Sequence, residues 1–130
     1  MIIDTSAVVA MLNDEPEAAR FAAAISSAPI RRMSAATFVE LAAVVERTRD
    51  PAASRILDDL LARIAIEIMP VTAEQAQIAR RAYWDFGRGS GHKAGLNFGD
   101  CFSYALARAS REPLLFKGND FTHTDITPAI

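Results

Sequence analysis

The chain has 130 residues, 51% of them apolar, with 14 Lys and Arg against 16 Asp and Glu, a net charge of −2 at neutral pH, and one cysteine. There is room for one core, so residues 1–130 are expected to form a single domain. One cysteine excludes an internal disulfide and a thiolate zinc centre, and the slight acidity excludes a protein that holds nucleic acid by charge alone. No uncharged stretch reaches the roughly 20 residues of a membrane span and no basic segment leads into an apolar run with a cleavage site, which points to a cytoplasmic protein without a membrane partner.

The chain opens with the apolar strand Met1-Ile2-Ile3, then Asp4, Thr5 and Ser6, then the apolar run Ala7 to Leu12. A strand apolar on both pleat faces belongs in a parallel sheet covered on both sides by helices. Ligands of such sheets bind beyond the carboxyl ends of the strands, where Asp4 falls. Asp4 or Thr5 is equally suited to cap the following helix. From Asp14 to Ser27 the spacing of Pro16, Ala19, Phe21, Ala22 and Ile25 predicts an amphipathic helix. A second strand around Ile30 to Met33 leads to Ser34, placed to cap an Ala-rich helix running to about Arg49.

Glu40 is the only charge between Ser34 and Val45, and its helical neighbours are Ala36, Thr37, Ala43 and Val44. Such a carboxylate either meets a cation or a donor, or sits on a narrow exposed strip. Asp50-Pro51 starts another helix, with Ile56, Leu57, Leu60, Leu61 and Ile64 as its apolar stripe, and Ile66 to Val71 reads as a third strand. Thr72 opens a helix that continues through Tyr83, Trp84 and Phe86; these aromatics suit a core, a partner surface or stacking on a base.

Gly87 to Gly99 carries most of the chain's glycines and reads as a flexible loop, not a phosphate loop, because Lys93 is not followed by Ser or Thr. It delivers Asp100 to the first turn of a helix, with Ser103 and Tyr104 on the same face one turn on. On its own, Asp100 reads as an acid favoured by the helix dipole. Pro113 to Phe116 is a buried strand, and Lys117 to Asp120 a turn at its carboxyl end, so Asp120 belongs to the same edge as Asp4 or is a plain turn residue. Asp125 begins a final short edge strand, and His92 and His123 read as surface histidines.

Four acids thus come from four elements: Asp4, Glu40, Asp100 and Asp120. Carboxylates brought together stay ionised only around a cation. An all-oxygen site without Cys or paired His selects Mg²⁺ or Mn²⁺ over zinc, and such a site suits hydrolysis of a phosphodiester by metal-activated water. Ser6 and Ser103 have no His to activate them, which excludes a serine hydrolase.

These motifs resemble the PIN-domain ribonucleases, and within them the VapC-like toxins of toxin–antitoxin pairs. The resemblance rests on Met1 to Ala7, Ser34 to Leu41, Leu96 to Ala107 and Leu114 to Ile126, in that order along the whole chain. It implies an α/β fold of three layers, α/β/α, with a mostly parallel sheet of about five strands. It also implies an acidic Mg²⁺ pocket, with Mn²⁺ as a substitute, endonucleolytic cleavage of RNA, homodimerisation, and inhibition by a small cognate antitoxin. Asp4 and Asp100 would be metal ligands, with Glu40 completing the cluster directly or through water. Asp120 matches the family's more variable fourth acid, and Thr5 or Ser6 would orient Asp4. RNA phosphates would be met by some of Arg31, Arg32, Arg80, Arg81, Arg88, His92, Lys93 and Lys117, and an antitoxin helix by the apolar helices of the first half.

Two rivals stand beside it. A receiver-like signalling domain also gathers acids at a sheet edge and has a Lys after a late strand, as Lys117 follows Phe116, but its phospho-acceptor should follow the middle strand, where Met69-Pro70-Val71 stands. The other is a non-catalytic RNA-binding PIN relative, disfavoured because no acid is missing.

Overall fold

The computed structural model describes residues 1–130. In chain order the elements are β1 (Ile2–Ile3), α1 (Thr5–Leu12), α2 (Ala18–Ser27), β2 (Arg32–Ser34), α3 (Ala35–Glu46), α4 (Pro51–Arg63), β3 (Glu67–Met69), α5 (Ala73–Phe86), α6 (Asp100–Ser110) and β4 (Leu114–Leu115), followed by a 3₁₀ turn at Phe121–His123. All strand pairs are parallel, in the order β3-β2-β1-β4, with Ile2 opposite both Arg32 and Leu114. Helices cover both faces, the arrangement a parallel sheet needs to bury two apolar sides.

Side chains alternate across a strand, so neighbours in one strand serve different layers. Ile2 and Leu114 pack with α5 and α6 residues such as Ala79, Ala82 and Leu106, whereas Ile3 and Leu115 pack with Val8, Phe21, Ile25, Leu41 and Leu57 of α1 to α4. The two-residue strands β1 and β4 are buried and divide the molecule into its two cores.

Four helices start where a short polar side chain accepts from the amide two or three residues on: Asp4 from Ser6, Ser34 from Ala36, Asp50 from Ala52 and Thr72 from Gln75. Three expectations need correction. The helix expected to start at Asp14 starts at Ala18, because Asp14 takes a left-handed φ of 50° and Pro16 lies in a turn. The sheet has four strands. The segment after Asp125 joins β4 only as a parallel bridge at Pro128, with the Leu114 amide donating to Thr127 and the Ala129 amide to Leu114; the nitrogen of Pro128 points away from β4, where an edge position tolerates a residue without an N–H.

The third correction concerns Gly87–Gly99. This loop is tied back on itself by a Gly87–Leu96 bridge, in which the Arg88 amide donates to Leu96 and the Leu96 amide to Phe86, and it inserts Ala94 and Leu96 into the core. The turns between take positive φ at Gly89, Gly91 and Gly95, a conformation that side chains with a Cβ resist. The glycines therefore shape a closed excursion. No helix is long and apolar enough to cross a membrane.

Candidate active site at the sheet edge

Asp4 leaves the end of β1, only 3% exposed, and is both a helix cap and the centre of a hydrogen-bond system. Its Oδ2 accepts from the Ser6 amide at 2.9 Å and the Ser6 hydroxyl at 2.6 Å, and its Oδ1 accepts from the Ser103 hydroxyl at 2.6 Å. Ser6 Oγ in turn accepts from the Lys117 amide at 2.9 Å, which ties the chain just after β4 to the chain just after β1. Capping and site-building are thus one geometry.

Glu40 lies midway along α3, partly buried, and faces α1 rather than an open strip. Thr5 Oγ1 donates to its Oε2 at 2.8 Å. The same carboxylate lies over Gly99: a Cβ built there would collide with Glu40 Oε1 and Cδ. Gly99 has φ −65° and ψ −44°, a conformation open to any residue, so the glycine is required by the space and not by the backbone. Burial pushes the Glu40 carboxyl up, opposed by the Thr5 hydrogen bond and reinforced by Asp4.

Asp100, 9% exposed, begins α6. It exchanges hydrogen bonds with Asn97: the Asn97 amide donates to Asp100 Oδ2 at 2.7 Å, and the Asp100 amide donates to Asn97 Oδ1 at 2.9 Å. Burial raises its pKa to about 7; the Asn97 amide works against that shift, and the charges of Asp4, Asp120 and Glu40 add to it. Repulsion of this kind acts only between near neighbours, so the four acids share one neighbourhood. Asp120 is exposed at its rim and makes no hydrogen bond or ion pair of its own.

No lysine, arginine or histidine pairs with any of the four; the ion pairs of the molecule lie elsewhere. Arg32 bonds Glu67 and Glu112 at the start of β2, the opposite end of the sheet, and Arg31 precedes it there. Lys117 does stand beside the edge, yet its ammonium is taken by Glu15 and Glu17. His92 stays exposed, as expected of a surface histidine, but is held by its own loop, its Nδ1 accepting from the Ala94 amide and its ring edge-on against Phe86. Four of the eight expected phosphate-binding side chains are therefore displaced or engaged, and Arg80, Arg81, Arg88 and Lys93 are the ones left.

Two contributors escape the sequence reading. Ser103 and Thr37, each fully buried, share a hydrogen bond of 3.0 Å beneath the acids. The available signal is spacing: Ser103 is three residues after Asp100 and Thr37 three before Glu40, each on its acid's helix face. A serine weighed only as a nucleophile hides its second use, as a donor to a carboxylate.

A PIN-domain family model matches residues 1–126. Over 130 residues the chain is 56% identical to VapC ribonuclease Mb0625 of Mycobacterium bovis and to ribonuclease VapC28 of Mycobacterium tuberculosis, covering 100% of this chain and 98% of each relative. Ribonuclease VapC30 of M. tuberculosis is 55% identical over 126 residues, 97% of this chain and 95% of the relative. Among solved structures the fold is similar to M. tuberculosis VapC20, described as a sarcin-ricin loop cleaving toxin, with TM-score 0.70, 18% identity and 98% of each chain covered. It is also similar to a toxin–antitoxin complex from Klebsiella pneumoniae, with TM-score 0.68, 17% identity, and 95% and 92% covered. With the family model spanning nearly the whole length and relatives above half identity along it, the chain belongs to the PIN-domain family, among the VapC ribonucleases.

Proposed function

We propose that the chain, acting as one PIN domain in the cytoplasm, is the toxin of a toxin–antitoxin pair and a Mg²⁺-dependent endoribonuclease. The observation that carries this reading is the unneutralised acid cluster, in which Asp100 is pushed up to about 7 with no basic side chain to relieve it. The donor set fits a hard divalent cation: it is all oxygen, acidic and without a paired ammonium or guanidinium. No three of the acids close around one point, so an ion held by Asp4 and Asp100 would have to keep several waters in its shell, as Mg²⁺ does.

Asp4 and Asp100 would hold the ion and Glu40 would complete its surroundings directly or through water, with Asp120 reaching in from the rim. When bound, the cation supplies Lewis acidity, an activated water and charge neutralisation at the leaving oxygen. The chain's own residues do the rest. Ser6 and Ser103 orient Asp4 by occupying one oxygen each. Thr5 holds Glu40 Oε2, leaving Oε1, over Gly99, to accept from a water on the acid side. A rise of the Glu40 pKa by burial suits a group that takes up a proton as the water attacks.

The groove between α1, the end of α3 and α4, about 340 Å³ and lined by Val9, Leu12, Val44, Val45 and Ile56, suits the apolar face of an antitoxin helix. The exposed aromatics Tyr83 and Trp84 of α5, with Phe98 nearby, suit a homodimer contact. The test is incubation of purified chain with RNA, with and without Mg²⁺. Cleavage that stops in chelator and leaves 5′-phosphate and 3′-hydroxyl ends is the expected result; cleavage in chelator, or 2′,3′-cyclic phosphate ends, would refute the mechanism. The receiver-like alternative has no support in the fold, since the chain after β3 is Pro70-Val71-Thr72, without an acid.

A further inference from the structure

Beneath the acids runs a chain of buried hydroxyls. The Asp4 carboxylate can only accept, so Ser103 Oγ must donate to Oδ1 at 2.6 Å. Its one proton is then used, and Thr37 Oγ1 must be the donor in the 3.0 Å Thr37–Ser103 contact. Both hydroxyls are fully buried. An unused hydroxyl in such a place costs free energy, and a satisfied one specifies its neighbours' positions.

Each link of this chain lies on an element that carries one of the acids. Asp4 itself ends β1; Thr37 lies one helical turn before Glu40 on α3; Ser103 lies one turn after Asp100 on α6. The bonds span 66 and 99 residues of sequence. Thr5 adds a weaker brace, its Oγ1 reaching Thr37 O at 3.4 Å while it donates to Glu40. The chain therefore joins the three acid-bearing elements at a level just below their carboxylates.

We propose that Thr37 and Ser103 are positioning residues that set the spacing of Asp4, Glu40 and Asp100, and hence the affinity of the cluster for a divalent cation. This rests on the metal reading of the site. Ser103 supplies the only hydrogen bond on Asp4 Oδ1, while Ser6 supplies both on Oδ2. Removing Ser103 frees the carboxylate to rotate about the Ser6 anchor and detaches α6 from α3 at this level.

The experiment is calorimetric titration of Mn²⁺ alone into the full chain, as wild type, Ser103→Ala, Thr37→Val, Thr37→Ser and the double variant Ser103→Ala with Thr37→Val, beside thermal melts in chelator. Thr37→Val keeps the shape and removes only the donor, so it reads out the proposal even if Ser103→Ala is poorly folded. Mn²⁺ affinity should fall about tenfold in Ser103→Ala and Thr37→Val, the size of loss found when a ligand's supporting hydrogen bond is removed. Thr37→Ser, which retains the hydroxyl, should bind as wild type does, and the double variant should be no weaker than Ser103→Ala, because the two residues act in series. Unchanged affinity in Thr37→Val and Ser103→Ala, or a loss in Thr37→Ser equal to that in Thr37→Val, would overturn the proposal while leaving the metal reading intact. A wild type that takes up no Mn²⁺ would overturn the metal reading and the proposal with it.

Discussion

Replacing Asp100 by asparagine tests the acid cluster through stability, where a functional and a purely structural carboxylate differ in sign. Asp100 has its pKa raised from 3.8 to about 7, chiefly by burial and then by its acidic neighbours. A raised carboxyl binds more protons in the folded than in the unfolded chain between those two values. Its contribution to stability is therefore fully present below the unfolded pKa and is lost as pH rises through the folded one. At about 1.36 kcal/mol per pKa unit, ionised Asp100 costs the metal-free fold up to about 4 kcal/mol above pH 7, and under about 1 kcal/mol at pH 4. An asparagine at this position still offers an oxygen to the Asn97 amide and carries no charge. Asp100→Asn should therefore melt as wild type does at pH 4 and be more stable by a few kcal/mol at pH 8, measured by urea denaturation in chelator at both pH values. An acid serving only the helix dipole would lose about 0.3–1 kcal/mol on the same change. Equal or lower stability of the variant at pH 8 would refute the cluster reasoning.

Glu40→Gln keeps an acceptor for Thr5 and removes a charge from the cluster, so Mn²⁺ affinity and cleavage should fall together by about tenfold, with the melt in chelator unchanged or raised; equal affinities and rates would remove Glu40 from the site. Gly99→Ala adds a helix-favouring residue in an allowed conformation but places a methyl against the Glu40 carboxylate, so circular dichroism should stay native while cleavage falls at least as far as in Glu40→Gln; full activity would mean that Glu40 does not stand where described. Trp84, 83% exposed, contributes little to the fold of one chain, and Trp84→Ala should leave the melt of the dilute protein unchanged while shifting sedimentation from the proposed dimer, expected of the wild type, to monomer. A wild type that sediments as a monomer would refute the proposed dimer, and a variant that sediments as a dimer would remove Trp84 from its contact.

What the sequence by itself determined was whatever depends on neighbours a few residues away. Asp4, Ser34, Asp50 and Thr72 were legible as helix caps because the amides they accept from lie two or three residues on. Asp4 and Asp120 could be placed at one edge because both follow strands of a parallel sheet, and Asp100 because it starts a helix entering from that side. The two-faced strands β1 and β4 likewise foretold helices on both sides. Tertiary structure alone decided which way Glu40 faces, since α3 is apolar nearly all round and only the approach of Thr5 and Gly99 distinguishes one side. It also diverted Lys117 to Glu15 and Glu17, closed the glycine loop through Leu96, and reduced the expected fifth strand to a bridge at a proline. The link of Ser103 to Asp4 across 99 residues depends on the sheet order β3-β2-β1-β4. A hydroxyl's partner is set by which elements the fold brings within about 3 Å, and hydrophobic patterning constrains layers without naming those neighbours.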